Sequence, residues 1–247
     1  PGLNFDWVRL PGGKVVFRRP DGVYGLQPYA EGRPVDPFDL SRHEVTVAQY
    51  RLCVEAGVCD EPVPDPKRGC NWGVAGRDDH PMNCIDSHAA WDFAEWAGAR
   101  LPREEEWAHA ARSGARDTQL PWGDAPVDCT RATIAAGGKP GCGAGHTAPV
   151  CSKPKGRSLD GVCDLAGNVA EWVWDELLDV EHEARHRPFM GPNGEKRYPN
   201  VRPSFRVRGG RWDAGWDAAN VFDRPGLKTR TARPGVGFRV VRWTEPR

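Results

Sequence analysis

The stretch "DLAGNVAEW", Asp164 to Trp172, sets two acids among small apolar residues and closes on a tryptophan, with Trp174 just beyond. A solvated loop has no need of the rings, and a core strand has no need of the carboxylates. Buried carboxylates need a bound cation or basic side chains beside them. Both partners are conceivable here: a metal ion, or arginines such as Arg206 and Arg208.

The rest of the chain is built in the same manner. Its 247 residues suffice for one large domain or two small ones. Gly 29 and Pro 23 make about a fifth of the sequence, which implies many turns and long ordered loops. Eleven tryptophans require well-packed pockets or a binding face. Lys+Arg 34 balances Asp+Glu 34, and no basic run interleaves with aromatics, so nucleic acid is excluded as a partner. No apolar stretch approaches the roughly 18 residues of a membrane span. Pro1-Gly2 shows no signal-peptide pattern, and any targeting segment is expected upstream of it.

Local signals define few regular elements. Residues 5–19 read as two short strands around a Pro-Gly-Gly turn. A strand in "DPFDLSRHEV" leads to Thr46 and Gln49, a capping box for a helix with Val47, Tyr50, Leu52, Cys53 and Val54 on its apolar face, stopped by Gly57. A second helix spans Ser87 to Ala97, burying Trp91, Phe93, Ala94 and Ala97. A third starts with Pro102 in its first position, and Glu104, Glu105 and Glu106 suit the positive end of its dipole. From residue 117 the chain is irregular, residues 176–204 read as an exposed polar insertion, and two strands, "FRVRGGRW" and "VGFRVVRW", close the sequence. The expected class is α+β, loop-rich, in one domain over 1–247.

The cysteines are Cys53, Cys59, Cys70, Cys84, Cys129, Cys142, Cys151 and Cys163. No Cys-x-x-Cys pair exists, so a zinc knuckle is disfavoured and disulfides in an oxidising, extracytoplasmic compartment are expected. Eight cysteines allow 105 pairings. Sequence proximity selects Cys53–Cys59, Cys70–Cys84, Cys129–Cys142 and Cys151–Cys163, because these close the shortest loops.

Seven segments in collinear order, "LPGG", "PFDLSRHEVTVAQY", "CIDSHAAWDFAEWAGARLPREEEWAHAARSG", "PWGD", "CDLAGNVAEWV", "RVRGGRW" and "GFRVVR", resemble the formylglycine-generating enzyme, or sulfatase-modifying factor, family over nearly the whole chain. The resemblance implies a variant of the C-type lectin fold with bound calcium. It also implies oxidation of a sulfatase cysteine to formylglycine by a copper-binding cysteine pair. The sequence departs from the family there. In "RVRGGRWDAGWDAANVFDR", residues 206–224, Arg211 stands at the serine position and Ala214 and Ala219 at the cysteine positions. The tryptophan usual before the motif glutamate is Ala170. Alanines cannot hold Cu(I), so no copper and no formylglycine synthesis are expected.

What the resemblance implies for "DLAGNVAEW" is one structural calcium ion, held by Asp164, Gly167, Val169 and Glu171. Asp164 stands where an asparagine is common, and the family's second calcium site has no match in 129–146. Calcium takes six to eight oxygens from carboxylates, carbonyls and water. Asp164 and Glu171 supply side chains, and Gly167 permits the turn that aims a carbonyl inward.

Three functions remain open. A remodelled binding cleft would use Arg211, Trp212, Asp213, Trp216, Asp217, Asn220 and Arg224 to hold a protein, peptide or small molecule. A tailoring enzyme, like the family's periplasmic member in siderophore maturation, would use Arg211, Asp213 and Asp217 for anchoring and acid–base work. An accessory architectural domain would serve a larger assembly. The iron site of the related sulfoxide synthases has no recognisable counterpart, and His182 and His186, four residues apart, read as solvated charge.

Overall fold

A computed structural model describes residues 3–15, 32–114, 116, 118–175, 189–190, 196–197, 204–219, 221, 227 and 230–242. The strands are β1 (Trp7–Leu10), β2 (Gly13–Val15), β3 (Arg33–Val35), β4 (Phe38–Ser41), β5 (Ala99–Arg100), β6 (Ala170–Asp175), β7 (Phe189–Met190), β8 (Lys196–Arg197), β9 (Ser204–Arg208), β10 (Val236–Gly237) and β11 (Val241–Arg242). The helices are α1 (Val47–Glu55), α2 (Ser87–Trp96) and α3 (Glu104–Ala111). A four-stranded sheet runs β1-β4-β11-β5, and a three-stranded sheet runs β10-β6-β9. The pairs β2–β3 and β7–β8 stand apart. Most of the predicted insertion, 176–204, lies outside the described residues.

Helix punctuation follows the sequence closely. Thr46 and Gln49 form the reciprocal capping box of α1, and Asp86 caps α2 through the amides of His88 and Ala89. The α1 face is narrower than expected. Val47, Tyr50 and Cys53 are buried, while Leu52 and Val54 are half-buried. In α2 the buried face is Ser87, Ala90, Phe93 and Ala94, with Trp91 and Ala97 half-buried at its margin.

The two short strands expected around the Pro-Gly-Gly turn are present as β1 and β2, and each pairs elsewhere, β1 with β4 and β2 with β3. Two readings require correction. Pro102 precedes the N-cap, Arg103, and its carbonyl accepts from Trp174 N–H. The run "VGFRVVR" is not one strand. β10 joins β6 in parallel and β11 joins β4 and β5, so Phe238, Arg239 and Val240 cross between the two sheets, all fully buried.

The glutamates of α3 do more than meet the dipole. Glu104 is paired with Arg208 at 2.7 Å, both buried. Glu105 meets Arg33 at 2.9 Å, and Glu106 holds Arg100 through two bonds of 2.6 Å while capping the Arg103 amide. These pairs fix α3 to β3, β5 and β9. The main aromatic core lies between α1, α2 and β6, where Tyr50 stacks on Phe93 and Phe238 meets Phe93 edge-on.

All eight cysteines are paired, as Cys53–Cys59, Cys70–Cys84, Cys129–Cys142 and Cys151–Cys163. No helix among the described residues is long and apolar enough to cross a membrane.

Candidate cation site and recognition surface

The turn before β6 is built from backbone that few residues accept. Asp164 and Asn168 adopt left-handed φ of 57° and 58°, and Gly167 lies at 83°. A Cβ on Gly167 would come within 2.6 Å of the Thr133 carbonyl, so this glycine is required by both conformation and space. Leu165, Ala166 and Val169 are buried, which packs the turn into the core from one side.

Its two acids face inward. Glu171 is fully buried; Arg239 binds it with Nε on Oε2 at 2.6 Å and Nη2 on Oε1 at 2.7 Å, and Trp107 Nε1 donates to Oε2 at 2.8 Å. The arginine that meets Glu171 is thus neither Arg206 nor Arg208. Arg239 also donates to the carbonyls of Ser41, Arg42 and Cys163. Asp164 Oδ2 accepts the Cys151 amide at 2.6 Å. Trp172, the ring in the opening stretch, is fully buried and donates to the Ile85 carbonyl.

A third acid, Glu44, was not foreseen. It is fully buried, its Oε2 accepts from Asn168 Nδ2 at 3.4 Å, and Oε1 has no hydrogen-bond partner among the described residues. Burial pushes the Glu44 carboxyl well above the ordinary range, reinforced by the charges of Asp164 and Glu171. Burial likewise lifts Asp164 to about 6, against the Cys151 amide and the Arg239 charge. For Arg239, burial disfavours the cation, but Glu171, Glu44 and Asp164 together raise its pKa.

Ionised, these three carboxylates outweigh one guanidinium by two charges. An all-oxygen donor set, an orphaned buried carboxylate oxygen and an excess of two negative charges fit a hard divalent cation. Asp164, Glu171 and the carbonyls of Gly167 and Val169 would hold it. Among the described residues, the one compact cluster of metal-ligating types is Cys151, Cys163 and Asp164, and the sulfurs there are in a disulfide, so no thiolate is on offer.

The turn is tied directly to the C-terminal segment. Gly167 N–H donates to the Gly209 carbonyl at 2.6 Å, and Trp212 N–H to the Asn168 carbonyl at 2.8 Å. The loop braced by Cys129–Cys142 binds the same segment through Ala135 N–H to Ala214 O and Gly141 N–H to Trp212 O, both 2.8 Å. Ala219 is buried with Ala132, Ile134 and Ala166.

Not all the predicted cleft residues are free to receive a ligand. Trp212 is buried, its indole N–H donates to the Pro234 carbonyl, and its ring lies so close over Gly69 that a Cβ there would meet it at 2.7 Å. Arg211 Nε lies 2.7 Å from Asp213 Oδ1, an ion pair by distance without the alignment of a hydrogen bond. Trp216 is different: it is 64% exposed and, with Gln119, Leu120, Pro126 and Val127, lines a cavity of about 370 Å³. Asp217 is exposed beside it, and Asn220 and Arg224 lie outside the described residues. The 119–127 wall is joined to this segment by Val221 N–H on the Gln119 carbonyl. Sequence reasoning missed that wall, Arg239 and Glu44; an arginine inside the apolar run "VGFRVV" was the one signal available.

Residues 4–244 match the family model for the sulfatase-modifying factor enzyme 1-like domain. The chain belongs to the sulfatase-modifying factor family. It is 34% identical to the formylglycine-generating enzyme of Streptomyces coelicolor, over 94% of this chain and 87% of that protein. It is 31% identical to the inactive C-alpha-formylglycine-generating enzyme 2 of Bos taurus, over 74% of this chain and 75% of the relative. PvdO from Pseudomonas aeruginosa superposes with a TM-score of 0.67 at 25% identity, covering 96% of this chain and 93% of that one. Among the described residues, the small sheets, three α-helices and long ordered loops are those of this family's fold.

Proposed function

We propose that this member of the sulfatase-modifying factor family is an extracytoplasmic binding domain, stabilised by one calcium ion, whose recognition surface centres on Trp216. The carrying observation is the exposed Trp216 indole over an apolar cavity of about 370 Å³, within the size range of small-ligand pockets. Large exposed rings over pockets are the residues on which recognition energy concentrates. Ala214 and Ala219 at the positions of the family's cysteine pair remove the thiolates, and Arg211 and Asp213 neutralise each other. Calcium at Asp164, Gly167, Val169 and Glu171 would supply positive charge to a buried acidic cluster and stiffen the turn bonded to Gly209 and Trp212. Four disulfides fit an oxidising compartment.

The test is amide and indole NMR with a set of aromatic and aliphatic fragments and short displayed peptides. Ligands should move the Trp216 indole resonance, and Trp216→Ala should weaken them roughly tenfold or more. Ligands that leave this resonance still while shifting residues elsewhere would contradict the assignment.

A further inference from the structure

The Cys151–Cys163 bridge does something the other three bridges do not: it closes on the acid of the cation site. Cys163 immediately precedes Asp164, and the Cys151 amide donates to Asp164 Oδ2 at 2.6 Å. Disulfide, peptide bond, side chain and hydrogen bond therefore form one small ring, with the carboxylate as a member. Both Cys151 and Asp164 sit at left-handed φ, 59° and 57°, a conformation that non-glycine residues leave when released. Outside the ring, the Cys163 amide donates to the Arg42 carbonyl at 2.8 Å, and Arg239 Nη2 donates to the Cys163 carbonyl at 2.8 Å. On the other flank, the Val150 amide donates to the Asp79 carbonyl at 3.0 Å. The ring is thus anchored on both sides, and the direction of the Asp164 carboxylate is set by the bridge.

We propose that Cys151–Cys163 is a positioning element for the divalent-cation site, fixing Asp164 before the ion arrives and so setting its affinity. This rests on the calcium reading given above. Preorganised outer contacts to a metal-binding carboxylate change affinity by 10–100-fold in metal sites generally. Opening the bridge releases Asp164 to other rotamers and leaves an ion to fix it on binding. The reverse follows by linkage: whatever the bridge adds to calcium affinity, calcium adds to the stability of the bridge.

Two measurements test it. The first is calorimetric calcium binding to the wild type, to the pair Cys151→Ser with Cys163→Ser, and to a control pair, Cys53→Ser with Cys59→Ser. The control removes a bridge from α1, which carries no residue of the site. The expected result is a Kd raised roughly tenfold or more in the first pair and changed less than about twofold in the control. Equal affinity in all three proteins overturns the proposal while leaving the calcium reading intact; no calcium binding by the wild type overturns both.

The second measurement needs no variant to fold. Wild-type protein is equilibrated with a dithiol, which is oxidised to its cyclic disulfide as each bridge takes two electrons and two protons. Free thiols are then alkylated and mapped by mass spectrometry, with and without calcium. Calcium should suppress reduction of Cys151–Cys163 by the same factor as the affinity change, and beyond any general protection seen at Cys53–Cys59. Protection of the two bridges by equal factors would refute the positioning role.

Discussion

At Asp164 burial and chemistry oppose each other. Its carboxyl is lifted from 3.8 to about 6, chiefly by burial. A folded pKa above the unfolded one means that the folded protein holds the proton more tightly. The associated stability is fully present below about pH 4 and is lost as pH rises through about 6. Asp164→Asn keeps an oxygen for the Cys151 amide and removes the titration. In chelator, urea unfolding from pH 4 to 7.5 should show the variant gaining on the wild type by roughly 1–3 kcal/mol. A difference that stays constant over this range would show that burial of this carboxyl is not what is being relieved. The acid itself was legible in the sequence, because a charged residue among buried neighbours announces a partner. The identity of that partner was not. Arg239 is 75 residues beyond Asp164 in the sequence, and no local pattern states which sheet crossing will bring it back. Glu44 was invisible for the same reason.

At the scale of elements, α3 separates two accounts of the same glutamates. Complementing a helix dipole is worth about 0.3–1 kcal/mol per acid and treats Glu104, Glu105 and Glu106 alike. The packing does not: Glu104 and Arg208 are 0% and 1% exposed, whereas Arg33, the partner of Glu105, is 14% exposed. Removing one member of a buried pair leaves the other charge stranded and costs about 3–5 kcal/mol. Glu104→Leu should therefore lose about that much in urea unfolding, and Arg208→Met added to it should recover part of the loss. Similar small losses at all three glutamates would return α3 to the dipole account. The cap of α1 was readable because Thr46 and Gln49 are three residues apart. The four neighbouring disulfides share that locality. The pairing of β1 with β4 was not readable, since the turn after β1 resembles a hairpin turn and the choice of partner is made by the core. The same holds for "VGFRVVR", whose even apolar character conceals the change of sheet at Phe238.

Across the whole molecule, the two features of the proposed function meet at one junction. The acidic turn from Asp164 to Asn168 is bonded to Gly209 and Trp212, and the segment that follows carries Trp216 and the wall of its cavity. Ala219, in that same segment, packs with Ala132, Ile134 and Ala166 in a small apolar cluster. On the proposed function, a cation held by this turn would act on the segment carrying Trp216 through these backbone hydrogen bonds. Folded protein that binds calcium while the unfolded chain does not is stabilised in proportion to the logarithm of the free ion concentration. The direct measurement is elemental analysis of the chain after dialysis against micromolar calcium, paired with thermal unfolding in calcium and in chelator. The account predicts one calcium per chain and a melting temperature that falls on chelation; no bound metal and an unchanged melting temperature would show that Arg239 and the hydrogen bonds around it satisfy the buried acids without an ion.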